Sequence, residues 1–310
     1  MYEEAVNSGK NHKFRYTTDG LYYFNRSTGL NILFDELTCK PEKLSKAPRQ
    51  VSIALTNICD LSCNHCYAPK SSHSLSYNLL TNWLIELDSN GCIGVNFGGG
   101  EPTLYPDLLN ICRFITQKTS MAVTLTTHGH NINKKLVQDL QSNVNFMRIS
   151  MDGIYETYES YRYRAFSDLL DSIKMVSYAI PFGINYLVNR NTIDEIDDAI
   201  TIAEDLHCSE FLLLPEVPVN GAGGIDLQTK TDLTKWVNSY KGKVPLTVNN
   251  DYSSGLPTVD PFISEAGLLS YLHLDAKGFI KSSSFIDCGV KIGNEGIMYA
   301  LEVLSKLKRR

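Results

Sequence analysis

The chain has 310 residues, 43% hydrophobic and 20% charged, a globular composition that excludes disordered and collagen-like classes. Its net charge of −5 speaks against a general nucleic-acid binder, and no apolar run approaches the ~18 residues that a membrane-spanning helix requires. Residues 1–13 are polar, with neither a basic start nor an apolar stretch, so no signal peptide is expected. The expected location is cytoplasmic, with no nucleic-acid or membrane partner.

Residues 13–35 alternate aromatic and aliphatic side chains between turn signals at Asp19-Gly20 and Ser27-Thr28-Gly29, the pattern of a small antiparallel β unit. Residues 37–50, with Pro41, Pro48 and several lysines, read as a linker. From Val51 onward, short apolar runs alternate with stretches of helical period. The predicted strands are 51–56, 93–97, 122–127, 146–151, 184–189, 211–217 and 244–249. The predicted helices lie near 77–89, 107–118, 133–142, 166–179, 193–206 and 229–240, the fifth opened by Thr192 as a hydroxyl cap. Such alternation builds an α/β fold, a parallel sheet covered by helices, and six units suit a partial (β/α)6 TIM-like barrel. Residues 251–310 are less regular and end in a predicted helix over 296–308, whose basic tail complements its own dipole. The expected organisation is an N-terminal β-hairpin unit with linker (1–48), the barrel (49–250) and a short C-terminal extension (251–310).

The chain has 8 cysteines, and residues 59–66 hold Cys59, Cys63 and Cys66 in a C-x3-C-x2-C arrangement. In a reducing compartment such crowding reads as metal binding or catalysis rather than disulfides. The motif follows the first barrel strand, so it sits at the strand end where barrels build their sites. Three thiolates in one short loop suit three irons of a [4Fe-4S] cube, with the fourth iron left open to an outside ligand. A structural zinc site wants a fourth ligand, and His65, adjacent to Cys66, is poorly placed to close a tetrahedron. After the second strand comes Gly98-Gly99-Gly100-Glu101-Pro102, where glycines allow close backbone approach to a ligand.

Cysteines in this spacing after the first strand, followed by Gly-Gly-Glu-Pro after the second, resemble the signature of radical S-adenosylmethionine (SAM) enzymes. The resemblance covers residues 51–220. It implies one [4Fe-4S] cluster on Cys59, Cys63 and Cys66, with SAM chelating the fourth iron. It further implies that His65 contacts adenine and that Gly99, Gly100, Glu101 and Pro102 bind the methionine amino group. Ser150 matches the ribose or carboxylate position. Arg162 matches a carboxylate contact, although the glycine that usually follows is Tyr163 here. Asn189 and Leu214 match the adenine and ribose edge. The implied chemistry is reductive cleavage of SAM to a 5′-deoxyadenosyl radical that abstracts hydrogen from substrate, driven by an external one-electron reductant of flavodoxin or ferredoxin type. The barrel mouth then has to be closed, by the 1–48 unit, the C-terminal region or the substrate itself.

Ser150-Met151-Asp152-Gly153 resembles the Ser-x-Asp-Gly of the branch that matures peptides or builds molybdopterin and quinone cofactors. The expected substrate is therefore a peptide or peptide-like molecule, modified by epimerisation, rearrangement or cleavage. The alternatives are a small molecule in cofactor, nucleoside or antibiotic biosynthesis and, remotely, a non-catalytic iron–sulfur electron carrier. Residues 274–294 resemble the entry to that branch's cysteine-bearing extension, but only Cys288 follows Cys208 in the sequence, so a single cluster is expected. Three residues are catalytic candidates: Cys288 as a hydrogen-atom donor, Glu216 as a base or amine contact, and His128 as a proton-transfer or substrate contact. The bland readings are a buried small hydrophobe for Cys288 and a turn residue for His128. Cys39, Cys92, Cys112 and Cys208 are also expected to be buried small hydrophobes.

Overall fold

The computed structural model describes residues 10–219, 223–249 and 254–308. The start of the acidic N-terminal stretch, the expected boundary at residues 250/251 and the last two arginines of the basic tail lie outside the described residues.

Strands β1 (His12–Thr17), β2 (Gly20–Asn25) and β3 (Asn31–Phe34) form an antiparallel meander in the order β1-β2-β3. A second sheet begins with β4 (Gln50–Thr56), β5 (Gly94–Gly99), β6 (Ala122–Thr127), β7 (Phe146–Met151), β8 (Phe182–Val188) and β9 (Glu210–Pro215). These run parallel in sequence order, as predicted, with β10 (Leu246–Val248) parallel beside β9. Helices α1 (Tyr77–Ser89), α2 (Leu108–Lys118), α3 (Lys134–Leu140), α4 (Tyr155–Arg162), α5 (Phe166–Ser177), α6 (Ile196–Asp205) and α7 (Leu227–Ser239) connect and follow these strands. β6, β7 and β9 alternate buried and half-buried residues, whereas all seven residues of β8 are buried. Val51, Ile53 and Leu55 of β4 and Met147, Ile149 and Met151 of β7 join the core shared with the helices. Ser52, Ser150 and their like face the open lumen.

Several features depart from the sequence expectations. Helix α4 was not predicted, because its residues are aromatic and charged and only Tyr158 is buried, so no aliphatic period marks it. Beyond the first barrel strand the sheet continues: β11 (Tyr271–Leu274) pairs parallel with β4, and β12 (Phe279–Lys281) and β13 (Val290–Lys291) extend it antiparallel. Thr192 does not cap its helix; its hydroxyl donates to Leu187 O at 2.7 Å and accepts from Asn189 N at 3.0 Å. Terminal helix α8 (Ile297–Lys308) packs on α1, and Met298 N donates to Glu86 Oε2 at 3.2 Å.

The N-terminal meander lies at the opposite end of the barrel from the cysteine loop, so it does not close the mouth. Arg26 donates to Thr119 O and Met121 O, both at 3.0 Å, just before β6. Arg15, fully buried, donates to Ala47 O at 2.9 Å and Gly91 O at 2.8 Å and pairs with Glu265 at 2.7 Å. These arginines satisfy the carbonyls that strand starts and helix ends leave open.

Candidate active site

The cysteine loop leaves the C-terminal end of β4 and is clamped by the glycine motif. Gly100 N donates to Thr56 O at 2.7 Å, and Glu101 N donates to Ile58 O at 2.8 Å. Gly99 sits at φ +119°, and a Cβ there would come within 2.3 Å of Thr56 O. A Cβ on Gly100 would lie 2.2 Å from Ile58 O. Both glycines are therefore already required by the approach of the cysteine loop, before any ligand is considered.

All three loop cysteines are free; Cys63 is buried, and Cys59 and Cys66 are half-buried. Burial pushes the Cys59 and Cys63 thiols up, and the Arg162 guanidinium opposes that at Cys63. Arg162 Nη1 lies 3.7 Å from Cys63 Sγ, and Lys70 Nζ lies 3.7 Å from Cys66 Sγ. Arg162 ends α4, and the next residue, Tyr163, takes the left-handed conformation (φ 55°) that a glycine there would adopt without cost. The departure from the usual glycine thus leaves the local geometry intact.

Asp152, just past β7, organises the other side. It is buried, pairs with Arg162 Nε and lies 3.0 Å from His65 Nε2. Burial raises its carboxyl, but the charge of Arg162 and the His65 contact outweigh that and hold it at about 2. The carboxylate thus orients the His65 ring through Nε2. Its Nδ1 is buried without a partner among the described residues, and its ring meets Tyr161 edge-on at 5.4 Å. Tyr161 OH in turn accepts from Asn189 Nδ2 at 2.8 Å, and the same amide donates to Glu216 Oε2 at 3.0 Å. Asn189 and Glu216 thus stand together at the ends of β8 and β9, linked to His65 through Tyr161. Ser150 and Leu214 lie on the lumen faces of β7 and β9, partly exposed.

Glu101 points away from this space. Its buried carboxylate accepts from Thr103 N at 3.1 Å, Thr103 Oγ1 at 2.7 Å, Thr127 Oγ1 at 2.8 Å and His128 N at 3.0 Å. Pro102 opens the short turn over residues 102–104 that follows. His128 is also committed: Nδ1 accepts from His130 N at 3.1 Å, and Nε2 lies 2.9 Å from Asp60 Oδ1. The proton therefore sits on Nε2, and the ring ties β6 to the cysteine loop. Cys59, Asp60 and His128 have donor atoms within 4.8 Å of one another.

Cys288 is exposed, not buried, and Cys39 is half-buried; Cys92, Cys112 and Cys208 are buried as expected. Burial raises the Cys92 thiol to about 11 and that of Cys112 to about 12, as befits inert packing residues. Phe285, three residues before Cys288, packs on Tyr67 with ring centroids 4.6 Å apart, so the 281–289 loop borders the cysteine loop. The sequence reading missed Asp60, Lys70 and Tyr161. Lys70 and Asp60 lie in or next to the motif but carry no pattern of their own, and Tyr161 belongs to the unpredicted helix.

Free thiols in one loop at the C-terminal mouth of a parallel partial barrel, flanked by cations and a buried carboxylate, define an iron–sulfur site of the barrel-enzyme class. The donor set fits a [4Fe-4S] cluster better than a single ion. Residues 53–203 match the family model described as Radical SAM superfamily, so this segment is a radical SAM domain, of a superfamily whose members use a [4Fe-4S] cluster and SAM. Among curated relatives, an AdoMet-dependent heme synthase of Methanosarcina barkeri is 30% identical over 56% of this chain and 52% of its own length. A probable GTP 3′,8-cyclase of Saccharolobus islandicus is 26% identical over 66% of this chain and 68% of its own length. The chain spans about half the length of the first of these relatives. In fold it is similar to SuiB of Streptococcus suis bound to S-adenosylmethionine, with TM-score 0.70 at 14% identity, covering 89% of this chain and 82% of that one. Among the described residues no helix is long and apolar enough to cross a membrane.

Proposed function

We propose that Cys59, Cys63 and Cys66 hold one [4Fe-4S] cluster, that SAM binds beside it, and that the pair serves to take a hydrogen atom from a peptide or peptide-like substrate. The observation that carries this reading is that one buried carboxylate, Asp152, holds both Arg162, which reaches Cys63, and His65, which neighbours Cys66, in a loop with three free cysteines. When bound, the reduced cluster and SAM supply a hydrogen-abstracting 5′-deoxyadenosyl radical. The chain's own residues do the positioning. Arg162 sets positive charge beside Cys63, which opposes the effect of that thiol's burial, and Lys70 lies beside Cys66. Asp152 fixes the Arg162 and His65 side chains by charge-assisted contacts. His65, Gly99, Gly100, Glu101, Pro102, Ser150, Arg162, Asn189 and Leu214 would hold SAM, Glu101 through its backbone because its carboxylate is engaged. Glu216 faces the same space as a substrate contact, and the exposed Cys288 is the candidate hydrogen donor from the bordering loop. An external one-electron reductant supplies the electron.

Two features support a peptide. SuiB, similar in fold, has been solved with its precursor peptide SuiA. Among the described residues β3 of the meander pairs only with β2, so at the barrel end opposite the cysteine loop an edge flanked by the exposed Leu30, Ile32 and Phe34 can take up a strand of an extended peptide. A small-molecule substrate is the second reading, favoured by the names of the heme synthase and GTP cyclase relatives.

The test is anaerobic. Reconstituted protein, dithionite and SAM are incubated with deuterated candidate peptides, and 5′-deoxyadenosine is analysed by mass spectrometry. Deuterium in the product, absent in Cys63→Ala, establishes hydrogen abstraction from a peptide. Unlabelled 5′-deoxyadenosine with every peptide, but label from a deuterated porphyrin or nucleotide, moves the substrate to the small-molecule class. No product under any condition refutes the reading.

A further inference from the structure

The face of the barrel sheet turned away from the helices carries a second set of polar residues, two positions deeper than the SAM candidates. On β7, Arg148 stands beside Gly183 of β8, and Ser150 stands beside Asn185. On the far side of Gly183 lies Glu210 of β9. Lacking a side chain at Gly183, the surface lets Arg148 reach across, and Nη2 lies 2.7 Å from Glu210 Oε1. Thr247 Oγ1 donates to the same oxygen at 2.8 Å.

This arrangement balances charge but leaves hydrogen bonding incomplete. Arg148 Nη1 and Asn185 Oδ1 are both buried atoms without a partner among the described residues. Asn185 is only 8% exposed. An unmet buried donor or acceptor costs about 1–3 kcal/mol. Arg148 and Asn185 are diagonal neighbours across the parallel ladder. One unmet donor and one unmet acceptor therefore lie on the same face of two adjacent strands, and nothing in the cysteine site uses them.

We infer that Arg148 and Asn185 form an amide-recognition subsite for the substrate. A carbonyl oxygen accepts from Arg148 Nη1, and an adjacent N–H donates to Asn185 Oδ1. The inference rests on the proposed function, in which the lumen holds the substrate, and narrows it to a chemical class. Glu210 already balances Arg148, so a carboxylate or phosphate would bring a second anion beside it; an uncharged donor–acceptor pair does not. One residue of an extended peptide presents its N–H and C=O on the same side, and a primary carboxamide presents both on one edge.

The test uses reconstituted holoprotein with SAM and ligand-observed saturation-transfer NMR. The probes are N-acetylalanine methylamide for a peptide unit, propionamide for a carboxamide, and sodium acetate for an anion. Saturation transfer to one or both amides is expected, the stronger of the two naming the source. Affinity should fall about 10-fold in Asn185→Leu and in the charge-balanced double variant Arg148→Met/Glu210→Leu, one hydrogen bond's worth. Thermal melting and iron content, unchanged in these variants, separate lost recognition from lost folding. Acetate binding more tightly than either amide, no transfer from any amide, or transfer insensitive to both variants overturns the subsite. If SAM itself fails to bind the holoprotein, the proposed function falls instead.

Discussion

Replacing Asp152 by asparagine removes the one anion that holds Arg162 and His65 together. The fall of its carboxyl from 3.8 to about 2 corresponds to about 2.4 kcal/mol of preference for the ionised form. Breaking a buried pair by deleting one partner costs about 3–5 kcal/mol, so Asp152→Asn should lose about 3 kcal/mol at pH 7. The pH dependence has a definite sign. A carboxyl depressed in the folded state contributes fully above 3.8, and its contribution is lost as pH falls through 3.8 towards about 2. The gap between wild type and variant should therefore be constant from pH 7 to pH 5 and narrow by about 1 kcal/mol at pH 3. Guanidinium unfolding at each pH, followed by the fluorescence of Trp83 and Trp236, measures both quantities. Equal stability at pH 7, or a gap that widens in acid, would refute this view of the site.

Gly100→Ala should displace the cysteine loop, because its Cβ would meet Ile58 O at 2.2 Å, and iron bound after reconstitution should fall below half of wild type. Gly98→Ala, whose nearest neighbour would be Thr126 Cβ at 3.9 Å, is the control that should keep its iron. Tyr163→Gly should stabilise the protein by about 1 kcal/mol in urea unfolding by relieving a left-handed φ of 55°, and a loss of stability would contradict that strain. Glu265→Ala should destabilise by about 3–5 kcal/mol, because it strands the fully buried Arg15; a change under about 0.5 kcal/mol would show that the meander is not anchored there.

The sequence made local features legible and left long-range ones hidden. Alternation marked β6 and β7 to the residue, and the cysteine and glycine motifs placed the site at the right strand ends. The reason for Gly99 and Gly100 was not legible, because it depends on Thr56 and Ile58 arriving from another strand end. Helix α4 was invisible because Tyr158 alone anchors it, although it delivers Tyr161 and Arg162. Parallel pairing of β11 with β4 joins residues some 220 positions apart, which no local period reports. Arg15 and Arg26 belong to no motif in the sequence, yet they fix the meander to the end of the barrel opposite the site. Arg148 and Asn185 read as ordinary strand positions until the ladder set them side by side.

The central claim is that three cysteines hold a cluster with one iron open to SAM. Electron paramagnetic resonance of the anaerobically reconstituted, dithionite-reduced protein tests it most directly. We expect about four irons per chain and a reduced-cluster signal that shifts on addition of SAM, both lost in Cys63→Ala. A signal indifferent to SAM, or a cluster that survives without Cys63, would contradict the assignment.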